Sequence, residues 1–395
     1  MADYSAISPG ADLPQLAREL VRVHDAVLSG SRTATPPRPV VARSWSRVLE
    51  LGLDPDSANT RDPFPLGELE RRRRESPLHL VVDDIRAVTG RVADASRFIM
   101  VVTDADGVIL WREGSAGVLR TADRLGFAEG ALWTEARVGT NAIGTALAEE
   151  TPVQLFSAEH FEHAQHPWYC TAWPIHDPRS GDLLGIVDVS GPAMTLHPVI
   201  GALVESAVRL AEAQLWRHHE TRLERLRTAS EHLLAAVSGP VLLVDDHGWV
   251  AHHAGVAARD RIGVPRTGTP LAVPGLGLCL PERVLGGWLV RPASGRTTIF
   301  AQLSVGDPPR IVVHGHGEPW QAALPRRHAQ ILQLLHTAGP AGLTAAQLSR
   351  HLFGDGEHLV SARAEVSRLR RVLGAVVATR PYRIADGVSL TLTAP

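Results

Sequence analysis

The sequence predicts an α+β chain of several domains. Three observations carry that prediction. Two stretches, FIMVVTDADGVILWREG and GPVLLVDDHGWVAHHAG, share one pattern: an apolar run, an acidic turn closed by glycine, and a second apolar run. That pattern reads as strand, turn, strand. Between the two lies a long segment free of glycine and proline with apolar residues at helical spacing. The last seventy or so residues hold three short helix-like runs followed by two β-prone runs. At 395 residues, the chain has room for two to four domains, each with its own core.

Residues 1–77 read as a helical N-terminal lead-in. LPQLARELVRVHDAVLSG has helical spacing, TATPPRP breaks it, and VVARSWSRVLELG forms a second short helix ended by Gly52. The run Arg71 to Arg74 in ELERRRRES is basic, but four consecutive helical residues point in all directions and acids flank them. A solvated face or a dimer contact is the expectation there, ahead of a nucleic-acid contact.

Residues 78–215 read as an α/β sensor domain. A strand, a D-x-D-G turn and a second strand open it. VGTNAIGTALAEE is a helix, TPVQLF a strand, and TAWPIHDPRSGDLLGIVDVSG two strands joined by a Pro/Gly turn. The runs GFAEGALWTEARVGTNAIGTALAE, VQLFSAEHF and HPWYCTAWPIHDPRSGDLLGIVDVSG resemble the GAF domain of acetoin-type transcriptional activators. VARSWSRVLELGLDPD resembles the segment that precedes that domain, so the likeness spans roughly residues 38 to 215. Those activators usually continue into an ATPase. This chain contains no lysine, so the phosphate loop G-x-x-x-x-G-K-[ST] cannot be present in it. The resemblance therefore points to the shorter, actinobacterial type of GAF regulator, without ATP-driven promoter opening.

A signalling helix is expected over 197–237. Val199, Leu203, Leu210 and Ala213 form one stripe, and Leu223, Leu226, Leu233 and Val237 another, offset by a residue. Such a helix can pair with a second copy, so a homodimer is expected. Residues 239–320 repeat the opening hairpin pattern and are expected to form a PAS-like α/β module. TTIFAQLSV and RIVVHGHG are its expected later strands, while VPRTGTPLAVPGLGLCLPERV resists assignment.

Residues 324–395 hold nine arginines against four acids, a local +5 in a chain of formal charge −2. A basic terminal module on an acidic chain points to a polyanion partner. Pro325 opens a first helix, Thr344 caps a second, EHLVSARAEVSRLRRVLG is a third, and VVATRPYRIA and VSLTLT are split by Asp386-Gly387 as a hairpin. Three helices and a hairpin make a winged helix-turn-helix. On the third helix Leu359, Ala362, Val366, Leu369 and Leu373 form the buried stripe, and Ser361, Ser367, Arg368 and Arg371 face away, with Arg363 and Arg370 flanking. Small polar residues and arginines on an outer face suit the major groove of duplex DNA. SARAEVSRLRRVLG followed by TRPYRI resembles the winged-helix output domains of bacterial response regulators. The expected DNA contacts are thus Ser361, Arg363, Ser367, Arg368, Arg370 and Arg371, with Arg380 and Arg383 on the wing.

Composition narrows the function class. Two cysteines, Cys170 and Cys279, are too few for a disulfide framework. No apolar run approaches the roughly 20 residues that span a bilayer, and MADYSAISPGADLPQ lacks the form of a signal sequence. A cytoplasmic protein is expected, with no membrane partner. No Ser-His-Asp motif, G-x-S-x-G elbow or H-E-x-x-H occurs, so an enzyme is not expected.

The expected function is a DNA-binding transcriptional regulator. A small effector would sit between the GAF sheet and its helices, against Trp111, Trp133, Asn141, Thr145, His160, Trp168, Trp173 and Asp188. Four of the chain's nine tryptophans fall there, and no arginine cluster does, which favours an aromatic or weakly polar ligand over a phosphodiester. No cofactor is expected. The alternative readings are a metal or haem redox or gas sensor using His160, His163, His166 and Cys170, and a protein-binding adaptor that uses the winged helix.

Overall fold

The computed structural model describes residues 4–32, 35–56, 62–257, 260–273, 276–292, 299–314, 320–379 and 381–393, with backbone alone for 91–96. Two compact units result, Met1–His219 and Glu220–Pro395.

The first unit opens with α1 (Leu13–Leu28), α2 (Pro39–Glu50), α3 (Leu66–Glu75) and α4 (Val82–Ser96). Asp12 caps α1 by accepting from Gln15 N, as an N-terminal carboxylate does for otherwise unpaired helix donors. Next come β1 (Ile99–Thr103), β2 (Ile109–Gly114), α5 (Ala116–Arg124), α6 (Glu135–Val138), α7 (Ala142–Glu149), β3 (Val153–Phe156), β4 (Trp168–His176), β5 (Leu183–Pro192) and the helix α8 (Val199–Ala229). The five strands form an antiparallel sheet in the order β2-β1-β5-β4-β3. One face packs Met100, Val102 and Val187 under Ile85 of α4 and Ile200, Val204 and Val208 of α8. The other packs Ile99, Val101 and Ile186 under α2, α5 and α7. The lead-in is therefore part of this unit's core: Trp45 of α2 is 2% exposed. Three of the four arginines of the α3 run are paired within the unit, Arg71 with Glu68 and Glu75 of its own helix. Arg72 pairs with Asp104 at 2.7 Å, and Arg73 with Glu129 at 2.8 Å.

The D-x-D-G turn forms as the sequence implies. Asp104 Oδ1 accepts from the backbone N–H groups of Asp106 and Val108, and Gly107 takes φ +88°.

The second unit continues with α9 (Glu231–Ala236), β6 (Val241–Val244), β7 (Val250–Ala254), β8 (Leu271–Val273), β9 (Gly277–Val284) and β10 (Gly287–Pro292). These strands form an antiparallel sheet in the order β7-β6-β10-β9-β8, which is the strand order of the first sheet repeated. Its opening turn repeats too, since Asp245 Oδ1 accepts from His247 N and Trp249 N. Leu226, Leu234 and Val237 cover one face, against Val241, Leu243 and Leu289, which completes the α/β layer of a PAS-like module. The glycine- and proline-rich middle that resisted assignment supplies β8 and β9.

The chain closes with β11 (Ile299–Ser304), β12 (Arg310–His314), β13 (Trp320–Ala323), α10 (Arg326–Ala338), α11 (Ala345–Phe353), α12 (Leu359–Leu373), β14 (Val377–Thr379), β15 (Tyr382–Ile384) and β16 (Val388–Thr393). Thr344 and Gln347 form a capping box at α11, and Gly354 at φ +94° ends it. Two pairings differ from the sequence reading. The strands expected late in the PAS-like sheet, β11 and β12, belong to a separate sheet of order β13-β12-β11-β16. The hairpin expected across Asp386-Gly387 does not pair its two arms: β14 pairs with β15, and β16 runs parallel to β11. Leu303, Ile311 and Leu390 of that sheet share a core with Leu332, Leu348, Val366 and Leu369 of the three helices. Among the described residues, no helix is long and apolar enough to cross a membrane.

Candidate effector pocket and nucleic-acid interface

On the α7 face of the first sheet lies a small cavity. Leu125, Phe127 and Trp133 form one wall, Asn141, Ala142 and Ile143 at the start of α7 another, and Gln165, Trp168, Cys170, Asp188 and Ser190 the floor. Strand parity decides who is there. Cys170 faces Ser190 and Ala172 faces Asp188 across β4–β5, so Trp168, Cys170, Asp188 and Ser190 share one face. Trp173 pairs with Val187, and Trp111 with Val102, so both belong to the opposite face. Trp111 packs there near the Arg73 guanidinium and Trp173 against Tyr4.

Of the eight expected effector residues, Trp133, Asn141, Trp168 and Asp188 line the cavity. Thr145 and His160 do not. Thr145 is buried in a polar cluster with Ser44, whose hydroxyl donates to Glu135 at 2.5 Å beneath Arg47. His160 stands behind the wall: its Nδ1–H donates to Ser157 O at 2.9 Å, and its Nε2 accepts from Cys170 Sγ at 3.2 Å. Burial holds that imidazole neutral by lowering its pKa to about 4 and raises the thiol well above its usual range. Sequence reasoning left out Leu125, Phe127, Ala142, Ile143, Gln165 and Ser190. Ser190 was within reach, two residues from Asp188 on one strand.

Asp188 dominates the chemistry of the cavity. Its carboxyl is fully buried, Oδ2 accepts from Ser190 Oγ at 2.5 Å, and Oδ1 has no partner. Burial raises its pKa to about 7, partly offset by the Ser190 hydroxyl and by the backbone N–H of Thr171. Among the described residues no arginine lines the cavity. Asn141 is largely spent on structure, capping α7 through Gly144 N at 2.9 Å and donating to Gly139 O.

The metal set read from sequence is not assembled. His160 and Cys170 bond each other, while His163 and His166 meet His24 of α1, a residue sequence spacing gave no reason to include.

On α12, Ala362, Val366, Leu369 and Leu373 are buried as expected, and Leu359 is half-buried. Ser361, Arg363, Ser367, Arg368 and Arg371 are exposed and Arg370 is half-buried. Their partners differ. Arg368 pairs with Glu365 at 2.7 Å, and Arg383 with Asp386. Among the described residues no acid pairs with Arg363, Arg370 or Arg371. Those three arginines and Ser367 line a cleft whose far side is the segment 263–272, which leads into β8, with Arg266 donating to Arg371 O at 3.1 Å. Gly374, at φ +59°, ends α12 in a conformation that favours glycine, and Ala375 N bonds Pro270 O at 2.9 Å. Arg380 lies outside the described residues.

Comparison with known proteins places the chain. Residues 19–213 match the family described as MimR, N-terminal domain. A 47.3 kDa protein of the thcA 5′ region of Rhodococcus erythropolis is 31% identical over 390 residues, covering 96% of this chain and 72% of that one. The acetoin dehydrogenase operon transcriptional activator AcoR of Bacillus subtilis is 33% identical over 56% of this chain, and the propane 2-monooxygenase operon activator MimR of Mycolicibacterium goodii 30% over 45%. The chain spans only 36% and 30% of those two activators' lengths. The solved structure of the Escherichia coli DhaR(N)–DhaL complex aligns over 65% of this chain at a TM-score of 0.46 and 18% identity. With residues 19–213 matched by a family model and a relative aligned over 96% of this chain and 72% of its own length, the chain belongs to the GAF-type transcriptional regulators that carry the MimR N-terminal domain.

Proposed function

We propose that this regulator binds a small, uncharged, largely apolar effector in the α7–β4–β5 cavity and reads duplex DNA with α12. The observation that carries the effector reading is Asp188: a fully buried carboxyl that lines the cavity with Trp133, Trp168 and Ile143 and whose Oδ1 makes no hydrogen bond. Leaving such an oxygen unsatisfied costs about 1–3 kcal/mol, which a ligand hydroxyl or amide would recover. A cavity with apolar walls and few polar groups is the general form of a small-molecule site. The lack of any lining arginine argues against an acidic ligand.

The DNA reading rests on α12 and its charge. Val360 is left 79% exposed beside Ala364, Ser367 and Arg371. An apolar side chain can meet a thymine methyl, and an unpaired arginine can grip guanine or phosphate. The relatives named as operon activators support transcription control as the output. A homodimer is part of the proposal, supported by the outer stripe of α8, where Val199 and Leu210 are 55% and 39% exposed.

Binding of the purified protein to its own upstream intergenic DNA, over a salt series, tests the output. Sequence-specific binding with a steep salt slope is expected. Equal, weak binding to random DNA, with and without ligands that quench the cavity tryptophans, would overturn it.

A further inference from the structure

We infer that His24, His163 and His166, with Asp25, form a binding site for a divalent transition-metal ion of the zinc type. One ligand nitrogen from each histidine lies within 4.8 Å of the other two. The three come from distant parts of the chain, His24 from α1 and the other two from the β3–β4 connection, so sequence proximity does not explain their meeting.

Hydrogen bonds decide which nitrogens are free. His24 Nε2–H donates to Phe161 O at 3.0 Å, which leaves Nδ1 a bare lone pair, buried and without a hydrogen-bond partner. His163 Nδ1–H donates to Asp56 Oδ1 at 2.7 Å, which leaves Nε2 toward the cluster. His166 Nε2 is likewise buried without a partner. A carboxylate or carbonyl on the far nitrogen is the outer-shell arrangement that fixes a metal-binding tautomer. Asp25 Oδ1 lies 3.5 Å from His24 Nδ1 and 4.0 Å from His163 Nε2, beside the three-histidine group rather than within it, so its exposed side chain must turn inward to serve as the fourth ligand.

Without an ion, three imidazoles packed edge to face have little reason to turn lone pairs inward; the ring centroids are 4.8–5.1 Å apart. A tetrahedral ion with bonds near 2.0–2.1 Å sets its ligand atoms about 3.4 Å apart, so side-chain rotations closing the cluster by at most about 1.4 Å suffice. Three neutral nitrogens and one carboxylate suit zinc, with cobalt(II) as its spectroscopic substitute. The ion would tie α1 to the turn that carries Gln165, whose side chain bonds Glu162 at 2.8 Å and which lines the effector cavity.

The test uses the full chain, stripped with a chelator and titrated with Zn²⁺, and with Co²⁺ read by its visible absorption. One ion per chain with a tetrahedral cobalt spectrum is expected. His166→Ala and His163→Ala should each weaken binding more than about 100-fold, and Asp56→Asn about 10-fold. The exposed control His232→Ala should leave it unchanged. His163 is 42% exposed, so its variant spares the core, and circular dichroism checks that it folds. No uptake by the wild-type chain, or uptake that survives both His163→Ala and His166→Ala, would overturn the inference.

Discussion

Replacing Asp188 by asparagine should stabilise the protein at neutral pH, against the usual result for removing a buried charge-bearing group. The reasoning follows from where the carboxyl sits. In the folded chain it titrates near pH 7, against an ordinary 3.8, because burial disfavours the charged form. The unfolded chain therefore gives up this proton first. Between about pH 4 and 7 ionisation favours the unfolded state, so this group's contribution to stability is whole below pH 4 and declines as pH rises. A separation of about 3 pH units corresponds to about 4 kcal/mol, reached above pH 7. Asparagine has nearly the same shape, keeps an oxygen for Ser190 Oγ and never ionises. The variant should therefore be about 1 kcal/mol more stable than wild type near pH 4.5 and up to about 4 kcal/mol more stable at pH 8. Other titrating groups are common to both proteins and cancel. Urea unfolding followed by fluorescence of Trp133 and Trp168, repeated from pH 4.5 to 8, measures the difference. A difference that does not change with pH, or an asparagine variant less stable at pH 8, would refute the argument. A stability penalty retained at neutral pH has its natural explanation in ligand binding: the same variant should lose effector affinity while gaining stability.

Four other outcomes follow from the same geometry. Arg47→Ala strips the partner from the nearly buried Glu135 and should cost about 2 kcal/mol in urea unfolding, discounted because Arg47 is 37% exposed. Gly144→Ala places a Cβ 2.5 Å from the Glu135 backbone nitrogen at the start of α7 and should cost about 2–3 kcal/mol by the same assay. Arg363→Ala or Arg371→Ala should weaken binding to all duplexes alike, each lowering the log–log salt slope by about 1 in fluorescence anisotropy. Arg368→Ala should instead relax base preference at one operator position, at a cost of about 1–3 kcal/mol, with unchanged preference in a base-substitution series counting against a groove-facing Arg368.

How much of this was legible in the sequence varies with the physics of each element. Hairpins announced themselves, because an aspartate three residues before a glycine caps its own turn whatever surrounds it; Asp104 and Asp245 do so alike. The buried stripe of α12 was legible for the same reason, since a helix face is fixed by spacing alone. The cavity was only half legible. Composition makes every aromatic near the sheet equally suitable, whereas strand register sends Trp111 and Trp173 to the far face. His24 was beyond reach, because its meeting with His163 depends on how α1 docks, and no local pattern encodes that.

The misassigned strands make the same point about β structure. In β11, Ile299, Ala301 and Leu303 are buried and alternate with exposed or half-buried residues. The sequence shows that alternation, and with it which edge of each residue meets a core. It does not show which core. Ile299 pairs with Val388 and Leu303 with Leu392, a parallel register across roughly ninety residues, chosen by the apolar faces of α10 and α12 rather than by anything near Ile299. The consequence reaches the proposed interface. Since β16 leaves the wing to join β11, the wing is the short β14–β15 pair, and its remaining cross-strand support is the bridge from Leu343 to Tyr382. Leu343 lies between α10 and α11, so wing and helix-turn-helix are hydrogen-bonded into one piece: Leu343 N donates to Tyr382 O at 2.7 Å and Tyr382 N returns the bond at 2.9 Å. The wing strand that carries Arg383 is thereby tied to the segment between α10 and α11, which is the kind of rigid support the proposed DNA reading requires.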